Sequence, residues 1–212
     1  MKESAVTVTL LGVVLVLSPP CYSRQKDVFG WQSARWGMSN EDIVRVSGSR
    51  LKKLPKSEVF LGMHVDYVIP EFDLQGKKFT VYFQIDDATN KLSQILIRLN
   101  EQKSRVPRKE IFNSLESLLT REYGKPLDKR DDTRSSSIDF SFVDLTRTWK
   151  FRTTTIELAY GWDNQIDASL LTIRYFPTKA VRRTTPNKRL QRTGISVFLI
   201  DNLPPAELSH GR

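Results

Sequence analysis

Histidine and cysteine are nearly absent from this chain, which has two His, at 64 and 210, and one Cys, at 21, in 212 residues. So few thiols exclude a disulfide framework, and thiol catalysis is excluded once Cys21 is removed with a leader. The clustered His, Cys and carboxylate ligands of a metal centre are missing too. Asp86, Asp87 and Asn90 are close in sequence, but turns favour Asp and Asn for backbone reasons, and a turn is the reading adopted. A Ser-His-Asp triad would have to use His64, and no serine stands in a Gly-x-Ser-x-Gly elbow. Glycine is sparse, ten residues in all, and forms no phosphate-cradling loop. No catalytic, cofactor-binding or metal-binding residue is therefore assigned, and no cofactor is expected.

Long apolar runs are also few. The run "AVTVTLLGVVLVL" follows a single lysine and ends before Pro19 and Pro20. At thirteen residues it is short of the roughly 20 that a membrane-crossing helix needs. It reads as a secretory signal over residues 1–23, with cleavage after Ser23 and small side chains at Cys21 and Ser23. A periplasmic or secreted protein is expected, with no permanent transmembrane anchor. Lipid attachment through Cys21 is the weaker alternative, because Pro20 is a poor residue to precede it.

Excess acid is lacking as well, since the chain carries a net charge of +9. From Thr178 onward there are seven Lys or Arg against two acids, while residues 24–177 hold twenty-five basic and twenty-one acidic side chains. The body is mildly basic, so no nucleic-acid partner is expected for it. Residues 178–212 read as a basic, disordered tail. Within it "PNKRLQRTGISVFLIDNLP" resembles peptides translated from dispersed repeat DNA, which implies an accidental extension.

What is present is periodicity. Ser39 followed by Asp42 predicts a capped helix with Ile43, Val44 and Val46 on its apolar side, stopped by Gly48. "EVFLGMHVDYVIPEF" reads as one strand ended by Pro70, and "KFTVYFQIDDATNKLSQILIRLN" as a hairpin with Phe79, Val81, Phe83, Ile85, Ile95, Ile97 and Leu99 on one face. A second helix is predicted from near Pro107, carrying Ile111, Phe112, Leu115, Leu118, Leu119 and Tyr123, and ended by Gly124 and Pro126. Three or four strands follow, in "SSIDFSF", "RTWKFR", "TTIELAY" and "LLTIRYF". Residues 24–106 and 107–177 thus form two units, each a helix followed by an antiparallel meander, consistent with an internal duplication of element order. The expected fold is α+β: one sheet layer covered by helices.

Three stretches carry a family resemblance. "WGMSNEDI", "FTVYFQIDDATNKLSQILI" and "LLTREYGKPL" with "TWKF" and "IELAY" resemble the helix start, hairpin and helix end of the SmpA/OmlA (BamE-like) envelope proteins. The tandem-repeat β-lactamase inhibitory proteins are similar in general arrangement. The resemblance implies a small secreted module that binds another envelope protein without catalysis. Trp31, Trp162 and Trp36 are the surface residues expected to serve such a contact, because flat rings give contact area at low entropic cost. Two other readings stay open. A carbohydrate- or peptidoglycan-acting enzyme would draw a carboxylate pair from Asp66, Glu71, Asp139 and Glu157. A binder of anionic envelope ligands would use Lys103, Arg105, Arg108, Lys109 and the tail. Oligomeric state is left open.

Overall fold

The computed structural model describes residues 27–101, 109–136, 140–163 and 168–178. The expected signal segment with Cys21, the linker residues Lys103, Arg105 and Arg108, the carboxylate Asp139 and the expected tail beyond Thr178 lie outside the described residues.

Helix α1, Asn40–Ser47, starts where its cap dictates. The Ser39 hydroxyl accepts from the Asp42 N–H, and the Asp42 carboxylate accepts from the Ser39 N–H. These two bonds satisfy groups that the first helical turn leaves open. Ile43 is the buried residue of this short helix, and Gly48 closes it at φ 60. Helix α2, Lys109–Tyr123, buries Ile111, Phe112, Leu115 and Leu119 on one stripe. It ends at Gly124, whose φ of 82 is a left-handed conformation that glycine adopts without a Cβ clash.

Eight strands make up most of the rest: β1 Lys52–Phe60, β2 Met63–Leu74, β3 Lys77–Asp86, β4 Lys91–Leu99, β5 Asp128–Ser136, β6 Phe140–Lys150, β7 Thr154–Asp163 and β8 Ala168–Pro177. They pair antiparallel in a single sheet of order β1-β2-β3-β4-β8-β7-β6-β5. The order is symmetric about the β4–β8 seam, where Ile95 faces Tyr175 and Ile97 faces Ile173.

This architecture corrects the expected fold class. Among the described residues the protein is dominated by one eight-stranded antiparallel sheet with two helices, eight and fifteen residues long, and is not an α+β layer covered by helices. The physical reason lies in the strands. "EVFLGMHVDYVIPEF" is two strands, because the chain reverses at Leu61 and Gly62 (φ 71). Pro70 does not end β2; a bulge between Ile69 and Phe72, with Glu71 at φ 57, carries the strand on to Leu74. β5 is almost wholly polar and was not foreseen. β6 joins "RTWK" to the phenylalanine-rich stretch before it as one strand.

The main core lies on the helix-bearing face. Phe79, Val81, Phe83 and Ile85 of β3, Ile95, Ile97 and Leu99 of β4, Trp149 of β6, Ile156, Leu158 and Tyr160 of β7 and Tyr175 of β8 meet Ile43 and the α2 stripe. Burying each such side chain is worth about 1.5–3 kcal/mol. On the opposite face of the first four strands, Phe60, Val65, Val68, Tyr82 and Leu96 form a second, smaller cluster. On the same side of β5–β8 the described residues form no apolar cluster, although Ala159, Leu170 and Thr172 are buried there, and the functional candidates lie on this face.

Candidate functional site on the open sheet face

Strand alternation sends every second residue of β5–β8 away from the helices. Asp128 and Arg130, then Asp144, Thr146 and Thr148, then Glu157 and Ala159, and finally Arg174 share this open face. They line a cavity of about 290 Å³. The small threonines and Ala159 leave the space, and five charged side chains surround it.

The charges are laid out by register. Asp128 faces Thr148, Thr148 faces Glu157 and Glu157 faces Arg174, so one row crosses four strands. Arg130 sits beside Thr146 and Ala159 in the next row. Arg174 Nη2 donates to Glu157 Oε1. Arg130 Nη2 donates to Asp144 Oδ2 at 2.7 Å. Asp144 is the more deeply placed of its pair, with a side chain 15% exposed against 63% for Arg130. Its burial pushes the carboxyl above the ordinary range, opposed by Arg130 and reinforced by Asp132 and Glu157. Its ionised form is thus held at a cost, a mark more common at functional surfaces than in frameworks.

A second depression of about 520 Å³ adjoins the first through Arg174, which lines both. Leu61, Met63, Phe176 and Pro177 give it an apolar wall, and Asp86, Ser93 and Gln94 a polar one. Arg98 of β4 is buried against the second cluster on the same side of the sheet, stacked 4.7 Å from the Tyr82 ring and donating to its hydroxyl.

The tryptophans expected at the surface are elsewhere. Trp31 is 8% exposed, seated edge-on against Phe72 at 5.5 Å. Trp162 is 6% exposed within the main core. Trp36 is half-buried, and its indole N–H donates to Thr154 Oγ1 at 2.9 Å. These rings give a partner little surface, because the sheet's need for apolar cover takes them first. Trp162 also lies within a strand, since β7 runs to Asp163.

Of the three sequence-selected carboxylates among the described residues, Asp66, Glu71 and Glu157, Glu157 alone lines the cavity. Asp66 accepts from Asn40 Nδ2 at 2.6 Å and from the Ser57 hydroxyl, and Glu71 is exposed at its bulge. Lys109 is half-buried at the start of α2. His64 stands between two carboxylates, with Nδ1 at 2.7 Å from Asp87 and Nε2 at 3.7 Å from Asp66. Among the described residues no group of three or more His, Cys, Asp or Glu is arranged to hold a metal ion. Asp86 is a turn residue, as its sequence context suggests: it accepts from the Thr89 hydroxyl and N–H, bonds that hold its carboxyl below the usual range. Among the described residues no helix is long and apolar enough to cross a membrane.

Asp128, Arg130, Asp144 and Arg174 were missed by sequence reasoning. The usable signal was the polar half of each alternating strand, which in β6 and β8 carries charge next to threonine. No protein-family model, curated protein or solved structure matches this chain.

Proposed function

We propose that the chain is a non-catalytic binding module that docks another cell-envelope protein through the helix-free face of β5–β8. The observation that carries the reading is the cavity lined by Asp128, Arg130, Asp144, Glu157 and Arg174. A sheet face that served only to meet water would need neither a concavity nor a carboxylate lifted by burial. The arginine–carboxylate pairs argue against hydrolysis. Asp144 is tied to Arg130 and Glu157 to Arg174. Each carboxylate is thereby turned toward an arginine of the sheet, whereas a general acid or nucleophile must present its oxygen to the substrate. Paired charges around a cleft suit partner choice and orientation, which is where interface electrostatics acts most. The secretory signal shape and the resemblance to BamE-like envelope proteins support a periplasmic or secreted location.

Photo-crosslinkers placed at Thr146 and Ala159, within the cavity, and at Glu122, on α2 across the sheet, test the reading in intact cells of the source organism. A discrete adduct is expected from the cavity positions alone, lost when Asp144→Asn and Glu157→Gln are added. Equal adducts from both faces, or an adduct indifferent to those substitutions, refute it.

A further inference from the structure

We infer that the groove formed by the two adjoining depressions takes an extended peptide segment of the partner in which a cationic side chain alternates with an apolar one. This rests on the docking reading above and adds the chemistry of what docks.

The first observation is the sign of the groove. The chain as a whole is net +9, yet among the described residues the two depressions bring together Asp86, Asp128, Asp144 and Glu157 against Arg130 and Arg174. Both arginines are already engaged, by Asp144 and by Glu157. Asp128 forms no ion pair with any described residue, and Asp86 is held only within its own turn. Among the described residues the uncompensated charge in the groove is therefore negative, opposite in sign to the net charge of the chain. Bringing in a cation lowers the cost of keeping Asp144 ionised, whereas an anion raises it.

The second observation is the apolar wall beside it. Leu61 is 84% exposed at the β1–β2 turn, and with Met63, Phe176 and Pro177 it borders the larger depression. Its volume of about 520 Å³ falls in the range of pockets that receive small ligands, room enough for an apolar side chain. Arg174 stands between the two compartments, so a ligand that fills both must present an apolar group on one side of it and a charged group on the other. Along an extended peptide the side chains alternate in direction, which lets neighbouring positions serve different walls.

The test uses the full chain and three fluorescein-labelled octapeptides, (Leu-Lys)4, (Leu-Glu)4 and (Ser-Lys)4, read by fluorescence anisotropy at low ionic strength. (Leu-Lys)4 is expected to bind at least tenfold more tightly than either other peptide. The Asp128→Asn/Asp144→Asn variant and the Leu61→Ser variant are each expected to weaken it by tenfold or more. Glu110→Gln/Glu122→Gln, which removes the same charge from exposed positions on α2, is expected to leave the affinity within twofold. Binding of (Leu-Glu)4 that equals or exceeds that of (Leu-Lys)4 and still responds to groove substitutions overturns the cationic assignment while leaving the groove as the docking surface. Affinities for all three peptides that ignore the groove substitutions overturn both.

Discussion

At the scale of single residues, the open face and the framework pull in opposite directions. Asp144 is the clearest case. Because burial raises its folded-state pKa above the unfolded value, the folded form favours the proton. Its favourable contribution is present below the ordinary carboxylate pKa and is lost as pH rises through the raised one. At neutral pH the ionised carboxyl is then a cost, so Asp144→Asn is expected to raise the thermal midpoint at pH 7, with the gain vanishing as pH falls below 4. A midpoint lowered at pH 7 would show that the Arg130 pair outweighs the burial. Framework residues behave in the ordinary way. Ser39→Ala removes one side of a capping box and is expected to cost about 1 kcal/mol in urea unfolding. Gly30 is more constrained: its φ is 97, and a Cβ there would meet the Ala34 carbonyl oxygen at 2.1 Å. Its N–H also donates to Thr154 Oγ1 at 3.1 Å, so the N-terminal segment depends on this geometry to reach the β6–β7 turn. Gly30→Ala should cost more than Ser39→Ala in the same experiment, and a smaller cost would show that the segment can lift away freely.

At the scale of elements, one side chain fastens α2 to the sheet. Arg147 of β6 faces the helix, places Nε 2.8 Å from Glu116 and Nη1 2.5 Å from Asp131, and lies 5.1 Å over the Phe112 ring. Burial works to lower its pKa, but bonds to Asp131 and Glu116 outweigh that and raise it, so it is charged throughout. Glu116 has a second partner in Lys129 at 2.6 Å, so removing Arg147 does not strand it. Packing then decides the outcome: Arg147→Ala is expected to cost about 3 kcal/mol, and Arg147→Met much less, because buried ion pairs are often replaceable by apolar groups of similar volume. Equal losses in chemical denaturation would assign the energy to the charge. The legibility of the elements follows the same physics. Ser39 and Asp42, the α2 stripe ending at Gly124, and the β3–β4 alternation were readable because each is a local pattern with one apolar side. β5 was unreadable because an edge strand facing solvent needs no apolar side, and its Asp, Lys and Arg residues guard the edge. The β1–β2 turn was hidden because Leu61 and Gly62 offer no Asn or Asp signal between two apolar runs. The candidate site was hidden for a related reason: Asp144, Glu157 and Arg174 occupy the outward positions of half-buried strands, where charge ordinarily means solvent.

At the scale of the molecule, the β4–β8 seam makes the two halves one folding unit. Core residues of both halves lie in a single cluster, with Ile95, Ile97 and Leu99 of the first half beside Ile156, Leu158, Ile173 and Tyr175 of the second. Cutting there would uncover several side chains, each worth about 1.5–3 kcal/mol, against a total stability of only about 5–15 kcal/mol for a typical domain. It would also expose the backbone edge of β4, which pairs with β8 from Ile95 to Arg98. A separately expressed chain of residues 27–101 is therefore expected to remain unfolded or to aggregate, and the whole protein to unfold in one transition. Hydrogen exchange should grade outward from the seam. Amides of β3, β4, β7 and β8 should be protected to near the global free energy, while those of β1, interrupted between Lys53 and Glu58, and of β5 should open first. This gradient has a functional consequence. The open-face groove draws Arg174 and Glu157 from the protected strands β8 and β7, and Leu61 and Asp128 from the ends nearest the labile edges. Its charged centre should be rigid and its rims adjustable. Two separate calorimetric transitions, or uniform protection from β1 to β5, would show instead that the halves are independent and that the groove is assembled only when they meet.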